Sequence, residues 1–474
     1  MKKIMTSLFI IFFCFSVNIF AQLEKKYDSI WEGTLDFGPQ KLKVVLKIVQ
    51  TSDGKKSAFL DSPDQGAVDI PASSVLITKD SLNFQINNIR ASFMGAINQD
   101  GTVADGKFSQ GMVNIDLKLN KVDKVAQLNR PQTPKPPFPY KEEVVTFENK
   151  AANITLAGTL TIPKGGNKFP AVVMVTGSGP QDRDEALFGH KPFLVIADYL
   201  TRNGIAVLRF DDRGVGKSKG NFSSALTTDF VTDALAAVEY LRTRNEVAQN
   251  KIGIVGHSEG GMVAPLAASN SDDVKFIVML AGPGMIGKDL IPLQQKLLLM
   301  ATGVTEEVAL KQASETKEVF DIILNASDSL TAYNKLSSLY DEKVSRMTKE
   351  EKEKPENSKE AFAAVTKQYL SPWFRFFIKY DPRPALENVQ CPVLAMNGEK
   401  DLQVPVKENL SLVETALKAG GNTKYKIVSL PGLNHLFQNA EKGSAAEYGK
   451  IEETISPEAL KVMADWILEI TSKM

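Results

Sequence analysis

Cysteine and histidine are nearly missing from this chain. Its 474 residues hold two cysteines, Cys14 and Cys391, and three histidines, His190, His257 and His435. Cys14 lies in a segment expected to be removed, and the one cysteine left excludes an intramolecular disulfide framework. Three histidines exclude a histidine-rich metal site and leave few side chains able to act as a base near neutral pH. Charge of one sign is missing too, since 56 Lys and Arg balance 56 Asp and Glu. That balance argues against the basic footprint of a nucleic-acid partner. Beyond the N-terminus no apolar run is long enough to span a bilayer. What is present is a globular composition, 43% hydrophobic and 24% charged, with length for roughly three domains.

The N-terminus reads as a secretory signal peptide over residues 1–21. Lys2 and Lys3 precede the apolar run 8–15, polar Ser16 and Asn18 follow, and Ala21 is a small residue at a cleavage point. The apolar run is short for a spanning helix. Ile11, Phe12 and Phe13 are not the small residues that precede a lipidated cysteine. The mature chain is expected in the periplasm or secreted, with no integral membrane segment.

Residues 22–125 read as an all-β domain. Residues 41–49 (KLKVVLKIV) and 113–119 (VNIDLKL) alternate with period two, and turn signals separate them at Ser52-Asp53-Gly54, Ser62-Pro63-Asp64 and Asn98 to Gly101. Seven or eight short strands would form a small barrel or curled sheet. Five prolines within residues 130–139 favour extended chain, so residues 126–146 are expected to be a semi-rigid linker.

From 147 to 474 strands alternate with helices. Strands are predicted at 169–176, 205–210, 252–255, 276–281, 393–397 and 424–429, and helices at 192–202, 229–243, 262–268 and 457–470. This order implies a mostly parallel sheet with helices on both faces. Between about 285 and 385 strand signals vanish, and the stretch reads as an inserted helical cap. Its charged run at 349–354 is a solvated face, and its Trp373, Phe374, Phe376 and Phe377 are either core or pocket lining.

The pattern Gly-x-Ser-x-Gly occurs twice, and context separates the two. A nucleophile elbow needs a strand, a sharp turn and a helix. Gly256-His257-Ser258-Glu259-Gly260 follows a predicted strand and precedes a predicted helix, whose N-terminal dipole would face Ser258. Gly216-Lys217-Ser218-Lys219-Gly220 lies between polar loops with nothing to hold Ser218 rigid. It is not the end of a phosphate-binding loop either, because that motif needs glycine where Asp211 stands.

A serine needs a base at neutral pH. His435 follows a predicted strand downstream of Ser258, whereas His257 should point away from the serine and pack, and His190 should be structural or at a rim. Asp401, just after the strand at 393–397, is the candidate carboxylate that orients His435, with Glu399 in reserve. The order Ser258, Asp401, His435 is that of an α/β-hydrolase fold. Backbone N–H groups of Ser178, with Gly179 beside it, and of Glu259 are placed to hold an oxyanion.

In combination, Gly177 to Asp184 (GSGPQDRD), Asp212 to Gly216 (DRGVG), Gly256 to Gly261, Leu280 to Gly284, Asn397 to Asp401 and Leu430 to His435 carry a resemblance. Residues 147–474 resemble the bacterial secreted α/β-hydrolases of the serine carboxylesterase or serine aminopeptidase-like kind. The resemblance implies ester hydrolysis by Ser258, Asp401 and His435, without metal or cofactor, on a small-molecule ester. The β domain is similar to N-terminal modules that accompany such hydrolases. The competing expectations are a serine peptidase of the same fold, acting as an aminopeptidase or a dipeptidyl-peptidase, and a non-catalytic binding protein on a hydrolase scaffold. Oligomeric state is left open.

Overall fold

A computed structural model of the chain describes residues 27–36, 41–51, 54–63, 67–111, 113–124, 129–166, 168–354 and 357–474. The expected signal peptide, with Cys14, lies outside the described residues, as do the turn residues Ser52, Asp53 and Asp64.

The first sheet is antiparallel. Its strands are β1 (Ser29–Asp36), β2 (Lys41–Gln50), β3 (Lys56–Ser62), β4 (Ala67–Pro71), β5 (Ser74–Ile77), β6 (Ser81–Ile86), β7 (Ala91–Ile97), β8 (Val103–Gln110) and β9 (Val113–Val122). Their order is β4-β3-β2-β1-β9-β8-β7-β6-β5. Among the described residues there are nine rather than seven or eight because β4 and β5, five and four residues long, are too short to show a period. Alternation sends one residue in two to a buried face, where Trp31, Leu46 and Leu60 lie in register on one wing and Phe84, Phe93 and Phe108 on the other. Lys47 is also buried, with its ammonium 2.7 Å from Asp61 and 2.6 Å from Asp69.

The second sheet has eight strands: β10 (Lys141–Asn149), β11 (Ile154–Ile162), β12 (Phe169–Val175), β13 (Ala206–Phe210), β14 (Val247–His257), β15 (Phe276–Leu280), β16 (Val393–Gly398) and β17 (Tyr425–Leu430). Their order is β10-β11-β13-β12-β14-β15-β16-β17. The first two strands pair antiparallel with each other, and β11 pairs antiparallel with β13, while the remaining pairs are parallel. Parallel strands need both faces covered. Along β12, Ala171, Val173 and Val175 enter one apolar cluster and Val172 and Met174 the other, which is why the strand reads as a continuous apolar run.

Helices α1 (Pro192–Arg202), α2 (Thr227–Arg242) and α3 (Gly260–Asn270) connect the early parallel strands. Proline at the first helical position starts α1, where its missing N–H costs nothing. Among the described residues seven helices follow between β15 and β16: α4 (Gly287–Ala301), α5 (Glu306–Leu324), α6 (Ser329–Ser345), α7 (Lys349–Lys352), α8 (Lys359–Tyr369), α9 (Pro372–Lys379) and α10 (Arg383–Glu387). They are the cap. Phe320, Ile323, Leu336, Phe374 and Ile378 form its own core, and Phe377 and Leu290 pack on Met262 of α3. Helices α11 (Val406–Ala419), α12 (Ala445–Tyr448) and α13 (Pro457–Ser472) complete the chain. The architecture is an α/β-hydrolase fold with a helical cap, preceded by a β sheet.

The proline-rich stretch is tied down. The guanidinium of Arg130 donates to the carbonyls of Phe188, Gly449 and Ile451, and the Gln132 amide exchanges hydrogen bonds with Thr454 and Ile455. Among the described residues no helix is long and apolar enough to cross a membrane.

Candidate active site

The five candidate catalytic and oxyanion residues lie just beyond the carboxyl ends of parallel strands. Ser178 follows β12, Ser258 and Glu259 follow β14, Asp401 follows β16 and His435 follows β17. Open parallel sheets place their ligand crevices at this edge.

Glycine makes the turn at Ser258 possible. A Cβ on Gly256 would lie 1.9 Å from the Gly260 carbonyl oxygen, and one on Gly260 would lie 2.2 Å from that of Val175. Backbone packed this closely bends β14 directly into α3. Ser258 itself has φ 51°, left-handed backbone that a residue with a Cβ adopts only when its surroundings impose it. Its N–H donates to the Leu280 carbonyl at 2.9 Å, and its own carbonyl accepts from Gly261 at 2.8 Å. Ser258 is partly exposed, while Glu259, Asp401 and His435 are buried.

His435 Nδ1 lies 2.7 Å from Asp401 Oδ2. The other carboxylate oxygen of Asp401 accepts from the N–H groups of Gln403 and Val404 at 2.8 and 2.9 Å, so it too can only accept. A carboxylate beside Nδ1 puts the ring proton there and leaves the Nε2 lone pair of neutral His435 free to take a proton. Glu399, by contrast, sits at the exposed edge and accepts from Ser429. The second serine is structural: Ser218 donates to the Asp211 carbonyl at 2.6 Å and accepts from Ala157 N–H at 2.9 Å, buried under its loop.

The loop after β12 lies against the elbow. A Cβ on Gly177 would come within 3.2 Å of Ser258 Cβ. Two acidic residues brace this loop. Asp212 accepts from Thr176 Oγ1 at 2.8 Å and Gln181 N–H at 2.9 Å, and burial pushes its carboxyl well above the usual range. Asp211 takes two hydrogen bonds from the Arg183 guanidinium at 2.8 and 2.6 Å.

Glu259 is enclosed. Its carboxyl accepts from Thr227 Oγ1 at 2.6 Å, from the Trp373 indole at 2.9 Å and from the Ser178 side chain. Burial raises its pKa, and these donors offset part of that rise. Trp373 thus ties the cap to the residue beside Ser258. Of the other cap aromatics, Phe374 is cap core, Phe377 packs toward α3, and Phe376 stacks on Tyr380.

Two placements were not visible in the sequence. His257 packs, but it is also hydrogen-bonded, with Nδ1 2.9 Å from Glu185 Oε1 and Nε2 3.1 Å from the His435 carbonyl. Glu185 carried no local signal, since its partner is 72 residues away. His190 is buried at the back, with Nδ1 2.8 Å from Thr454 Oγ1 and Nε2 3.0 Å from the Tyr448 carbonyl. Among the described residues no cluster of three or more His, Cys, Asp or Glu side chains could hold a metal ion.

The chain is similar to known proteins in three comparisons. The family described as "Serine aminopeptidase, S33" matches residues 192–441, just over half of the chain. Esterase EstD of Thermotoga maritima is 28% identical over 451 residues, spanning 93% of this chain and 98% of that protein. Among solved structures, the Pyrococcus furiosus esterase Pf2001 is 15% identical with a TM-score of 0.42, covering 73% of this chain and 98% of that one.

Proposed function

The chain belongs to the serine aminopeptidase S33 family of hydrolases, and from that premise we propose that it is a serine esterase acting on small or short-acyl carboxylic esters. The observation that carries the reading is the buried 2.7 Å hydrogen bond between His435 and Asp401, on a loop tied directly to the elbow of Ser258.

In this mechanism His435 takes the proton of the Ser258 hydroxyl as its oxygen attacks the ester carbonyl. Asp401 holds the ring in the required tautomer and stabilises the imidazolium that forms. The N–H groups of Ser178 and Glu259 receive the developing oxyanion, an interaction worth several kcal/mol of barrier. His435 then protonates the departing alkoxide, leaving an acyl group on Ser258. Water, deprotonated by the same imidazole, hydrolyses that acyl-enzyme.

Glu259 favours esters over aminoacyl amides. An aminopeptidase needs a carboxylate for the substrate ammonium, and the carboxyl beside Ser258 is already taken by Thr227, Trp373 and Ser178. The cap above the elbow limits volume, which supports short acyl groups. The name of EstD, which aligns over nearly the whole chain, agrees with an ester substrate. We further infer that residues 1–21 direct export to the periplasm or medium, which N-terminal sequencing of the mature protein would test, and that the second sheet with its cap is the catalytic unit.

The deciding experiment runs esters from acetyl to palmitoyl beside aminoacyl and dipeptidyl amides, with Ser258→Ala as control. Short esters should give the highest kcat/KM. A preference for an aminoacyl amide would move the chain to the peptidases, and undiminished activity of Ser258→Ala would overturn the nucleophile.

A further inference from the structure

Behind the candidate base lies a second carboxylate–imidazole pair that the proposed reaction leaves unused. Glu185 is 4% exposed and holds φ 50°, a left-handed conformation unfavourable for a residue with a Cβ. Asp182 fixes this turn: its carbonyl accepts from Glu185 N–H at 2.9 Å, and its carboxyl from Asp184 and Ala186 N–H at 3.0 and 3.1 Å. Strain this well supported in a buried acid points to a role for the side chain.

That side chain meets three parts of the site. Glu185 Oε1 accepts from Gly177 N–H at 2.7 Å, which anchors the loop carrying Ser178. The same oxygen lies 2.9 Å from His257 Nδ1, one residue before Ser258. His257 Nε2 in turn lies 3.1 Å from the His435 carbonyl, and the two rings are 4.9 Å apart between centroids. A carbonyl only accepts, so Nε2 carries hydrogen. An ionised Glu185 only accepts as well, so Nδ1 carries hydrogen too. The ring is then an imidazolium, paired with a carboxylate and aimed at the backbone of His435. Burial alone would push His257 down, but the charge and hydrogen bond of Glu185 hold it above the ordinary histidine value, with smaller contributions from the His435 carbonyl and Asp401.

We propose that Glu185 and His257 are positioning residues for the base, a charged pair that fixes the His435 loop, the elbow and the Gly177 loop in one register and places a cation beside the His435 ring. The inference rests on the reading of His435 as general base. Among the described residues the other titratable side chain bonded to these rings is Asp401, on His435, and the buried Tyr448 hydroxyl, bonded to Gln403, lies near Asp401. A positive charge beside His435 repels a second one on that ring, whereas the Asp401 carboxylate attracts it, so a change of charge in either pair should move the acid limb of activity.

The test uses the full chain. Glu185→Gln keeps the shape and can still accept from Gly177, but it removes the carboxylate and leaves His257 neutral. The acid limb of kcat/KM should move to higher pH by roughly 0.5–1 unit, while kcat at the plateau falls about tenfold and KM changes little. Glu185→Asp, which restores the charge, should return the limb toward wild type. ¹⁵N NMR of wild type at neutral pH should show His257 protonated at both nitrogens, a measurement independent of how the variants fold. A single neutral tautomer at His257, or an unmoved acid limb in a folded Glu185→Gln, would overturn the proposal. A fluorophosphonate probe separates this from the functional reading. If wild type resists the probe, the serine-hydrolase mechanism fails; if it reacts at Ser258 and the limb does not move, the role of the pair alone fails.

Discussion

In the first sheet Lys47 lies between Asp61 and Asp69, deep in an antiparallel ladder in which each strand pairs with its spatial neighbour along most of its length. In the second sheet the buried acidic residues Glu185, Asp212, Glu259 and Asp401 stand in the loops and turns that follow β12, β13, β14 and β16. Lys47 and its partners satisfy one another. At the strand ends the carboxylates are satisfied by histidines, hydroxyls and backbone N–H groups belonging to different loops. Left-handed non-glycine residues are found in both regions: Asp69 and Arg90 in the first, Asn153 and Lys168 at turns of the second, and Glu185, Ser258, Ala281 and Phe437 in the loops at its crevice. A closed ion cluster holds a sheet together, whereas carboxylates shared between loops hold several loops in one geometry.

The sharpest way to break this contrast is to remove the groups at the crevice. Ser258→Ala and His435→Ala should each lower kcat/KM by roughly a thousandfold to ten-thousandfold, with Asp401→Asn close behind. Melting temperatures should hardly move. Ser218→Ala should do the reverse, costing about 1–2 kcal/mol of stability by leaving the Asp211 carbonyl and Ala157 N–H unpaired, while the folded fraction keeps its turnover. Equal loss of activity in Ser218→Ala would erase the distinction between the two Gly-x-Ser-x-Gly sites.

That distinction was legible before the fold, because the elbow is a local pattern: apolar strand, close-packed glycines, helix. Helix α1 was legible for the same kind of reason, a proline at its first position and an apolar stripe behind it. Strand β10 was not, because it abuts a proline run and its polarity does not follow its burial: Val144 is exposed and Asn149 is buried. Glu185 was hidden more deeply. Nothing in Asp184-Glu185-Ala186 marks a buried acid, and its meaning comes from Gly177 and from a histidine far along the chain. The one available clue was His257 itself, since a histidine held beside an elbow needs acceptors for its ring. Cap aromatics were ambiguous for a related reason: composition cannot tell Phe374, sealed in the cap, from Trp373, whose indole reaches Glu259.

The ion cluster of the first sheet gives the next largest effect. Lys47→Met leaves Asp61 and Asp69 facing each other without a cation and should destabilise that sheet by about 3–5 kcal/mol. Adding Asp61→Asn and Asp69→Asn should recover most of this, because the cost is uncompensated charge and not lost packing. Calorimetry would resolve it as a lowered first transition, with esterase turnover per folded molecule unchanged. A fall in turnover at temperatures where the second sheet is intact would show that the two regions are coupled.

A smaller effect is expected at the cap. Trp373→Phe keeps the ring contact with Phe377 but removes the indole donor to Glu259. KM for the bulkier esters should rise about five- to tenfold, as expected for one hydrogen bond to a buried carboxyl, with kcat for acetyl esters less affected. If kcat falls and KM does not, Trp373 acts through the elbow and not through the cap's position.

A further effect is a pH dependence in the second region, where all three histidines lie. His190 is held neutral, its pKa pushed down to about 4 by burial and then by the nearby Arg130, against an ordinary value of 6.5. A proton added at Nδ1 would face the Thr454 hydroxyl that now donates to it, beside a guanidinium already bonded to three carbonyls of the same corner. The unfolded chain takes up that proton near pH 6.5 and the folded chain only near 4, so stability falls as pH drops through this window. His257 adds nothing to the slope there. Its folded pKa is raised, so its contribution is complete below the unfolded value and is lost only as pH rises. His190→Gln should therefore flatten the decline between pH 6.5 and 4 by about 1–2 kcal/mol relative to wild type, read from denaturant midpoints of the transition assigned to the catalytic unit. Arg130→Gln should flatten it part of the way, because it removes the neighbouring charge and leaves the burial. An unchanged slope in both variants would mean that His190 is protonated in the folded protein and that Arg130 does not act on it.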